Sequence, residues 1–178
     1  YYIIYWIASK KEGCPTKILF LINFAGKAGT ERYVENLVRI FTGGGHECHF
    51  AYNVAGELSA KMEDMGIPSL HLDMDRSGAA SAAKQLAAYC RERGIEVIHA
   101  QYPRENIIAL LSLKHYSAPR VVYTNHLTIR SGLRWRILNR MFTPKDHRII
   151  AVCREGRDIM IQNGVCPERI EVIYNGVE

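Results

Sequence analysis

A pair of glycines follows the first strongly apolar segment of the chain, where a turn leads into a helical pattern. Gly26 and Gly29 are three residues apart, and Thr30 follows at once. A helix N-terminus offers unpaired N–H groups and a partial positive charge to an anion. Glycine allows close approach, and a threonine can cap the helix. The pattern predicts a phosphate-binding turn capped by Thr30, with a purely structural turn as the alternative, because neither the GxGxxG fingerprint nor a Walker loop is present.

A histidine stands at the end of the fifth predicted strand. His126 follows Asn125 in the segment YTNHL, and imidazole can contact a phosphate or a sugar hydroxyl and exchange a proton near neutral pH. We predict His126 as the catalytic residue and Asn125 as a binding residue. No spacing among the seven histidines suggests a metal cage, so we predict no metal. Three more residues are predicted to line the same cleft, namely His99, Tyr102 and Arg130.

The segment 131–142 (SGLRWRILNRMF) carries a second signal. On a helical wheel its apolar residues spread over an arc of about 200°, with Arg136 and Arg140 opposite and Arg134 inside the apolar side. Two interpretations stay open. The helix packs its apolar face on the sheet, or Trp135 and the arginines settle on an anionic membrane at the level of the headgroups.

Short apolar segments alternate with helical patterns from Lys17 onward, which is typical of βαβ units. We therefore predict an α/β fold with a doubly wound, mostly parallel, Rossmann-like sheet of about seven strands and helices on both faces. Ligands bind at the carboxyl ends of such strands, so the glycine turn and His126 should meet there. The predicted strands are 18–23, 47–52, 69–72, 96–100, 120–124, 148–152 and 169–173.

Composition fits one domain. The chain has 178 residues, 48% of them hydrophobic, which supplies a sizeable core. The net charge of +5 favours anionic partners, but the cations are scattered and no nucleic-acid module is recognisable. Five cysteines without a CxxC pair favour the reducing cytoplasm. Residues 1–16 are predicted to be an extension whose apolar start, 1–7, forms an extra strand or is a remnant of a truncated segment.

Four motifs in order carry a family resemblance. They are Gly29–Arg32 (GTER), Thr124–His126 (TNH), Ile149–Cys153 (IIAVC) and Val172–Glu178 (VIYNGVE). Over about residues 17–178 the chain resembles the N-terminal domain of glycosyltransferase family 4, the retaining enzymes with the GT-B fold.

The resemblance implies two facing Rossmann-like domains, of which this chain is the acceptor-binding half. The nucleotide-sugar donor would be a co-substrate held mainly by a second domain beyond Glu178, no cofactor would be needed, and this chain alone would transfer nothing. Gly29 and its turn would approach the donor diphosphate, and His126 would contact the transferred sugar or its phosphate. Asn175 and Gly176 would begin the crossing between domains. Ala28 departs from the family, which commonly has a second glycine there.

Alternatives stay open. A nucleotide-sugar 2-epimerase with the same fold would need acidic catalytic groups near the cleft. A non-catalytic anion- or membrane-binding module would need no catalytic groups. The acceptor class is also open among sugars, polysaccharides and lipid-linked molecules. The resemblance points to cell-envelope or polysaccharide biosynthesis. The thiols favour the cytoplasm, and the basic amphipathic segment 131–142 would make the protein peripheral on the inner face of the membrane.

Overall fold

A computed structural model describes residues 15–75 and 78–174, which form a single parallel sheet flanked by helices. The order of the strands is β3-β2-β1-β4-β5-β6-β7, and every neighbouring pair is parallel. The predicted α/β fold is therefore confirmed. The strands are β1 (Lys17–Phe24), β2 (Glu47–Val54), β3 (Ser69–His71), β4 (Val97–Ala100), β5 (Arg120–Asn125), β6 (Arg148–Ala151) and β7 (Ile170–Val172).

Six α-helices connect the strands within the described ranges. The connections are crossovers, because every strand pair is parallel. The helices are α1 (Gly29–Gly43), α2 (Glu57–Asp64), α3 (Gly78–Arg93), α4 (Pro103–Ser112), α5 (Leu133–Phe142) and α6 (Arg154–Gln162). Short 3₁₀ turns follow α5 at Thr143–Lys145 and α6 at Pro167–Arg169.

Alternation along β1 builds two core layers. Ile18, Phe20 and Ile22 pack with α1 and α2 on one face, while Leu19 and Leu21 pack with α3 and α4 on the other. All five side chains are fully buried, and burying each stabilises the fold by roughly 1.5–3 kcal/mol. The helices therefore cover both faces, as predicted.

Glycine and proline set several helix ends. Glycines end the first helix, since α1 ends at Gly43 and Gly45 has a φ of 81°. Pro103 opens α4, where its missing N–H costs nothing. The short helix α2 was not predicted. The predicted strand at 1–7 lies outside the described residues.

The order of the strands reverses between β1 and β4, which are neighbours in the sheet. A crevice forms at the carboxyl ends of strands on either side of such a switch point. The turn after β1, the loop after β4 and the end of β5 consequently meet at this edge.

Candidate functional site

A cleft of about 720 Å³ opens at the carboxyl edge of the sheet. It extends from the end of β1 and the start of α1, past the loop after β4, to the segment 127–132 between β5 and α5. Its walls mix apolar and polar side chains, which include Phe24, Ala28, Tyr102, Asn125 and Arg130.

Tyr102 joins the glycine turn to the fifth strand. Its hydroxyl shares a hydrogen bond of 2.8 Å with the hydroxyl of Thr30, at the start of α1. Its ring lies with its centroid 6.0 Å from that of His126, at the end of β5. The structure thus brings together the turn around Gly29, Tyr102 and His126, which are far apart in sequence.

The hydrogen bonds around His126 assign its tautomer. The amide nitrogen of Gln101 donates to the carbonyl of His99 at 3.2 Å, so the amide oxygen of Gln101 is left to accept. It accepts from Nε2 of His126 at 3.1 Å, which leaves Nδ1 as an acceptor. Burial lowers the pKa of His126 to about 4, so the imidazole is neutral at neutral pH and suits a hydroxyl better than a phosphate.

Two tyrosines flank this imidazole. The ring of Tyr33 meets His126 edge to face at 4.9 Å, and Tyr102 lies on another side. Burial raises the pKa of Tyr33 to about 12, so its hydroxyl stays protonated. His126 is half-buried between these two tyrosines at the rim of the sheet. Its side chain does not line the cleft described above.

His99 does not line the cleft, contrary to the prediction. Its side chain is fully buried beneath the rim, where Nε2 shares a hydrogen bond of 2.8 Å with the hydroxyl of Thr124. Its ring lies 5.5 Å from that of Phe20 in the core. Burial lowers the pKa of His99 to about 3. His99 lies within β4, so strand alternation turns its side chain into the core rather than toward the edge.

The glycine turn differs from the prediction in its cap. Thr30 lies inside α1, so it is not the capping residue. Ala28 holds the N-cap position, and its backbone N–H donates to the carboxylate of Glu31 at 3.1 Å. A carboxylate therefore already satisfies one N–H group at the helix start where an anion was expected.

The two glycines of the turn have different roles. A Cβ on Gly26 would lie 2.2 Å from the ring of Phe24, whereas a Cβ on Gly29 would meet nothing within 4 Å. Neither residue has a positive φ. The clash at Gly26 is with the exposed ring of Phe24, which can rotate away, whereas the surface over Gly29 is open to a ligand.

The helix α2 supports this turn from behind. The backbone N–H of Leu58 donates to the carbonyls of Ala25 at 3.0 Å and Gly26 at 3.2 Å. Gly56 approaches so closely that a Cβ there would lie 2.5 Å from the carbonyl oxygen of Ala25. The turn is consequently shaped before any ligand binds.

Sequence reasoning missed a buried acid in the cleft. The carboxylate of Glu105 accepts the backbone N–H of Asn23 at 2.7 Å and ties α4 to the end of β1. The side chain is almost fully buried, and burial raises its pKa to about 7. Its position two residues after Pro103, at the third residue of α4, was the available signal, because acids favour the first turn of a helix.

A polar cluster beside Glu105 was also missed. The amide of Asn53 donates to Asn23 at 2.8 Å and to Asp75 at 2.6 Å. Asp75 pairs with Arg104 at 2.5 Å, and the hydrogen bond from Asn53 and this pair lower the pKa of Asp75. Arg104 lines the cleft and adds a cation to it. The residues of this cluster are spread over four segments, so sequence spacing gave no signal.

The remaining predicted residues fall in three places. Asn125 and Arg130 line the cleft, although the side-chain amide of Asn125 is engaged with the backbone of Leu127. Trp135, which one of the two interpretations placed on a membrane, lines the cleft. Arg134, Arg136 and Arg140 are exposed on α5. Asn175 and Gly176 lie outside the described residues.

One interpretation expected α5 to pack its apolar face on the sheet. Phe142 does pack against the core, but most of that face does not. The one buried residue of the helix is Asn139, while Leu133, Ile137 and Met141 are exposed. Between residues 15 and 174, apart from 76 and 77, no helix is long and apolar enough to cross a bilayer. Over the same ranges no three His, Cys, Asp or Glu side chains cluster closely enough to hold a metal ion.

The sequence model of the family named Glycosyltransferase Family 4 matches residues 28–178 of the chain. The match begins in the glycine turn and runs through the end of β5 and α5. A search of curated proteins found no match.

Solved structures show the same fold. Alr3699/HepE from Anabaena in complex with UDP-glucose has a TM-score of 0.75 at 18% identity, over 91% of this chain and 44% of that one. A glycosyltransferase from Rickettsia africae ESF-5 has a TM-score of 0.75 at 16% identity, over 92% and 44%. The lipopolysaccharide outer core galactosyltransferase WaaB in its apo form has a TM-score of 0.72 at 14% identity, over 91% and 46%. The chain therefore spans less than half the length of these proteins.

Proposed function

Because the chain belongs to Glycosyltransferase Family 4, we propose that it is the acceptor-binding half of an enzyme that transfers a sugar from a nucleotide-sugar donor to an acceptor. The donor class is supported by the UDP-glucose bound to HepE. We further propose that a second domain holds most of the nucleotide, since HepE is more than twice as long as the part that this chain covers. We propose that the domain begins near Lys17, at the start of β1.

One observation carries the proposal: the glycine turn, Tyr102 and His126 meet at one rim of the cleft. The open surface over Gly29 lets a diphosphate approach the N-terminus of α1. The neutral imidazole of His126 offers Nδ1 to a sugar hydroxyl. These two contacts would place the sugar and its leaving group side by side.

We propose that transfer retains the anomeric configuration. The bond from the sugar C1 to the diphosphate breaks and positive charge develops on the sugar ring. An acceptor hydroxyl then bonds to C1 from the face that the diphosphate leaves, and its proton passes to the departing diphosphate. The pKa of about 4 keeps His126 uncharged, so no cation on this side chain opposes that charge. The N-terminus of α1 and the cation of Arg104 favour the departing anion.

The test uses a protein that carries both domains, with His126→Ala compared with His115→Ala at an exposed position outside the cleft. We expect kcat for sugar transfer to fall about tenfold or more in His126→Ala, as loss of one hydrogen bond to the reacting sugar implies. The His115 variant should keep its activity. Unchanged turnover in His126→Ala would remove this residue from the site.

Two further measurements separate the parts of the proposal. NMR of the product should show the same anomeric configuration as the donor. The 178-residue chain alone should show no turnover, because the groups that would hold the nucleotide belong to the second domain. Robust transfer by the chain alone would contradict the division into two halves.

The carboxylates in the cleft favour one second candidate. A nucleotide-sugar 2-epimerase needs acids that exchange a proton at C2, and Glu31 and Glu105 line the cleft. Glu105 has a pKa of about 7, which suits proton exchange. Incubation with a nucleotide-sugar in D₂O distinguishes the two functions, since an epimerase incorporates deuterium at C2 and a transferase does not.

We propose a cytoplasmic location for this site. Cys48, Cys90, Cys153 and Cys166 are all free thiols in the described part of the chain, which supports a reducing compartment.

A further inference from the structure

We propose that Glu105 and Tyr123, which we call the cleft floor, bind a ring hydroxyl of a neutral sugar and thereby select such a sugar as the acceptor. The cleft floor is separate from the rim where the glycine turn, Tyr102 and His126 meet. The inference rests on the proposed function, because it names the class of acceptor that the same cleft takes.

Tyr123 places an unused hydroxyl in the cleft. Side chains alternate along β5, so Thr124 turns to one face of the sheet, where it shares a hydrogen bond with His99, and Tyr123 turns to the other, where it lines the cleft. Tyr123 is 2% exposed, yet its hydroxyl has no hydrogen-bond partner in the part of the chain that the structure describes. A buried hydroxyl costs free energy until a partner is supplied, and a ligand in the cleft would supply one.

Glu105 provides an acid in the same cleft. Its side chain is 1% exposed and lines the cleft, and the N–H of Asn23 donates to one of its oxygens at 2.7 Å. That bond fixes the carboxyl group and leaves further lone pairs for a ligand. Burial, and after it the charges of Asp146 and Glu105, raise the pKa of Tyr123 above its usual range. The phenol therefore keeps its proton and lies within electrostatic reach of the Glu105 carboxyl group.

The two groups of the cleft floor together match one hydroxyl. A hydroxyl can accept one hydrogen bond and donate another, and here Tyr123 is the donor and Glu105 is the acceptor. A phosphate or carboxylate at this position would face the acid of Glu105. An alkyl chain would leave both buried groups without partners. The cleft floor therefore favours a neutral hydroxyl over an anion or a hydrocarbon chain.

The walls of the cleft suit a sugar ring. Apolar side chains surround the opening, among them the exposed Ile129 and Trp135, and Met160 and Val165 lie in the core beside Tyr123. The faces of a pyranose carry C–H groups that pack on aromatic rings, while its edges carry hydroxyls. The volume of about 720 Å³ lies within the range of small-molecule sites, roughly 300–1,000 Å³. A sugar that packs on Trp135 and reaches the cleft floor with a hydroxyl satisfies both surfaces.

Binding of free sugars to the 178-residue chain tests the cleft floor without donor or turnover. The chain has two tryptophans, so in a Trp6→Phe background the fluorescence comes from Trp135 and reports occupancy of the cleft. The probes are D-glucose, D-galactose, D-mannose and N-acetyl-D-glucosamine. We expect at least one of them to change the emission in a saturable manner, and inorganic phosphate should not displace it.

Tyr123→Phe removes just the hydroxyl. We expect the dissociation constant of the best-binding sugar to rise about threefold to tenfold, as loss of one hydrogen bond implies. Thermal stability should not fall, because no described residue bonds to that hydroxyl. One monodeoxy analogue of the same sugar should bind the wild type more weakly than the parent sugar, and the variant should bind the two alike, because the hydroxyl and Tyr123 act as a pair.

The matched control is Tyr89→Phe on α3, which removes a hydroxyl that shares a hydrogen bond of 2.8 Å with His49. This variant should lose stability and keep sugar binding, which is the reverse of Tyr123→Phe. Absence of binding by all four sugars, displacement by phosphate, or unchanged sugar binding in Tyr123→Phe would each overturn the proposal.

Turnover separates this proposal from the proposed function. Transfer by a protein with both domains, without sugar binding to the chain, would contradict the cleft floor alone. Sugar binding that depends on Tyr123, without transfer by the protein with both domains, would contradict the transferase function and keep the sugar site.

Discussion

The imidazole of His126 donates its Nε2–H to the side-chain oxygen of Gln101 across 3.1 Å. Gln101 is fully buried and in turn donates to the carbonyl of His99. The ring that faces the rim is therefore oriented from the interior of the sheet. Because Nε2–H is used in the bond to Gln101, Nδ1 is the free nitrogen of the ring. Burial keeps the ring neutral.

Gln101→Leu should disrupt this orientation. The change leaves the Nε2–H of His126 without its acceptor, so we expect the free energy of unfolding to fall by about 1–3 kcal/mol. Urea denaturation measures it, and the ¹⁵N shifts of His126 should show a mixture of tautomers. Gln85→Leu, at an exposed site on α3, is the control. A single unchanged tautomer in Gln101→Leu would contradict the assignment.

Glu105→Gln should change how stability depends on pH. The folded protein keeps the proton of Glu105 up to about pH 7, while the unfolded chain releases it near 4.5. Between these values the folded state binds more protons, so stability falls as the pH rises. At 1.36 kcal/mol per pKa unit the loss is about 3 kcal/mol between pH 4.5 and 7.

Gln at position 105 keeps an oxygen for the N–H of Asn23 and removes the titration. The variant should therefore gain stability relative to the wild type as the pH rises through this range, which urea denaturation at several pH values measures. Glu63→Gln, at an exposed site, should run parallel to the wild type. Parallel curves for Glu105→Gln would show that Glu105 is ionised throughout.

His126→Asn should reveal the opposite slope. The wild-type imidazole is neutral in the fold down to about pH 4, while the unfolded chain takes up a proton near 6.5. The stability that depends on neutral His126 is thus complete above pH 6.5 and is lost as the pH falls toward 4. The wild type should lose stability relative to the variant in that window. NMR titration of the ring should give the low pKa directly, and a value near 6.5 would exclude this account.

Gly164→Ala should loosen α5. A positive φ alone costs an alanine roughly 1–2 kcal/mol, and Gly45→Ala, with a φ of 81° and open space around it, measures that cost. At Gly164 the added Cβ also meets the carbonyl of Arg136, so the loss of stability should be clearly larger. Hydrogen exchange should rise along α5 in this variant only. Equal losses in the two variants would show that the close contact is not needed.

The sequence predicted the sheet well because its strands are short, apolar and separated by helical patterns. Fully buried strands such as β1 and β5 have few alternatives to a central position in a sheet. The helix α2 escaped detection because Glu57–Asp64 is short and buries just Leu58 and Met62. A pattern of two apolar residues is too weak to indicate a helix.

The site was harder to predict, because it depends on which side of an element faces inward. His99 lies in β4 and Tyr102 lies two residues beyond its end, yet His99 is in the core and Tyr102 reaches the cleft. The wheel of α5 showed a broad apolar arc and gave no reason to place the polar Asn139 inside. Asn139 faces inward because its side chain donates to the backbone carbonyl of Asn163, which lies 24 residues later in the chain.

The turn between β1 and α1 is held by the N–H of Leu58 and by the close packing of Gly56. A loop clamped in this way loses little conformational entropy when a ligand arrives, so more of the contact energy is available as affinity. Substitutions in α2, which does not itself contact the ligand, should then weaken ligand binding because the turn could adopt other conformations.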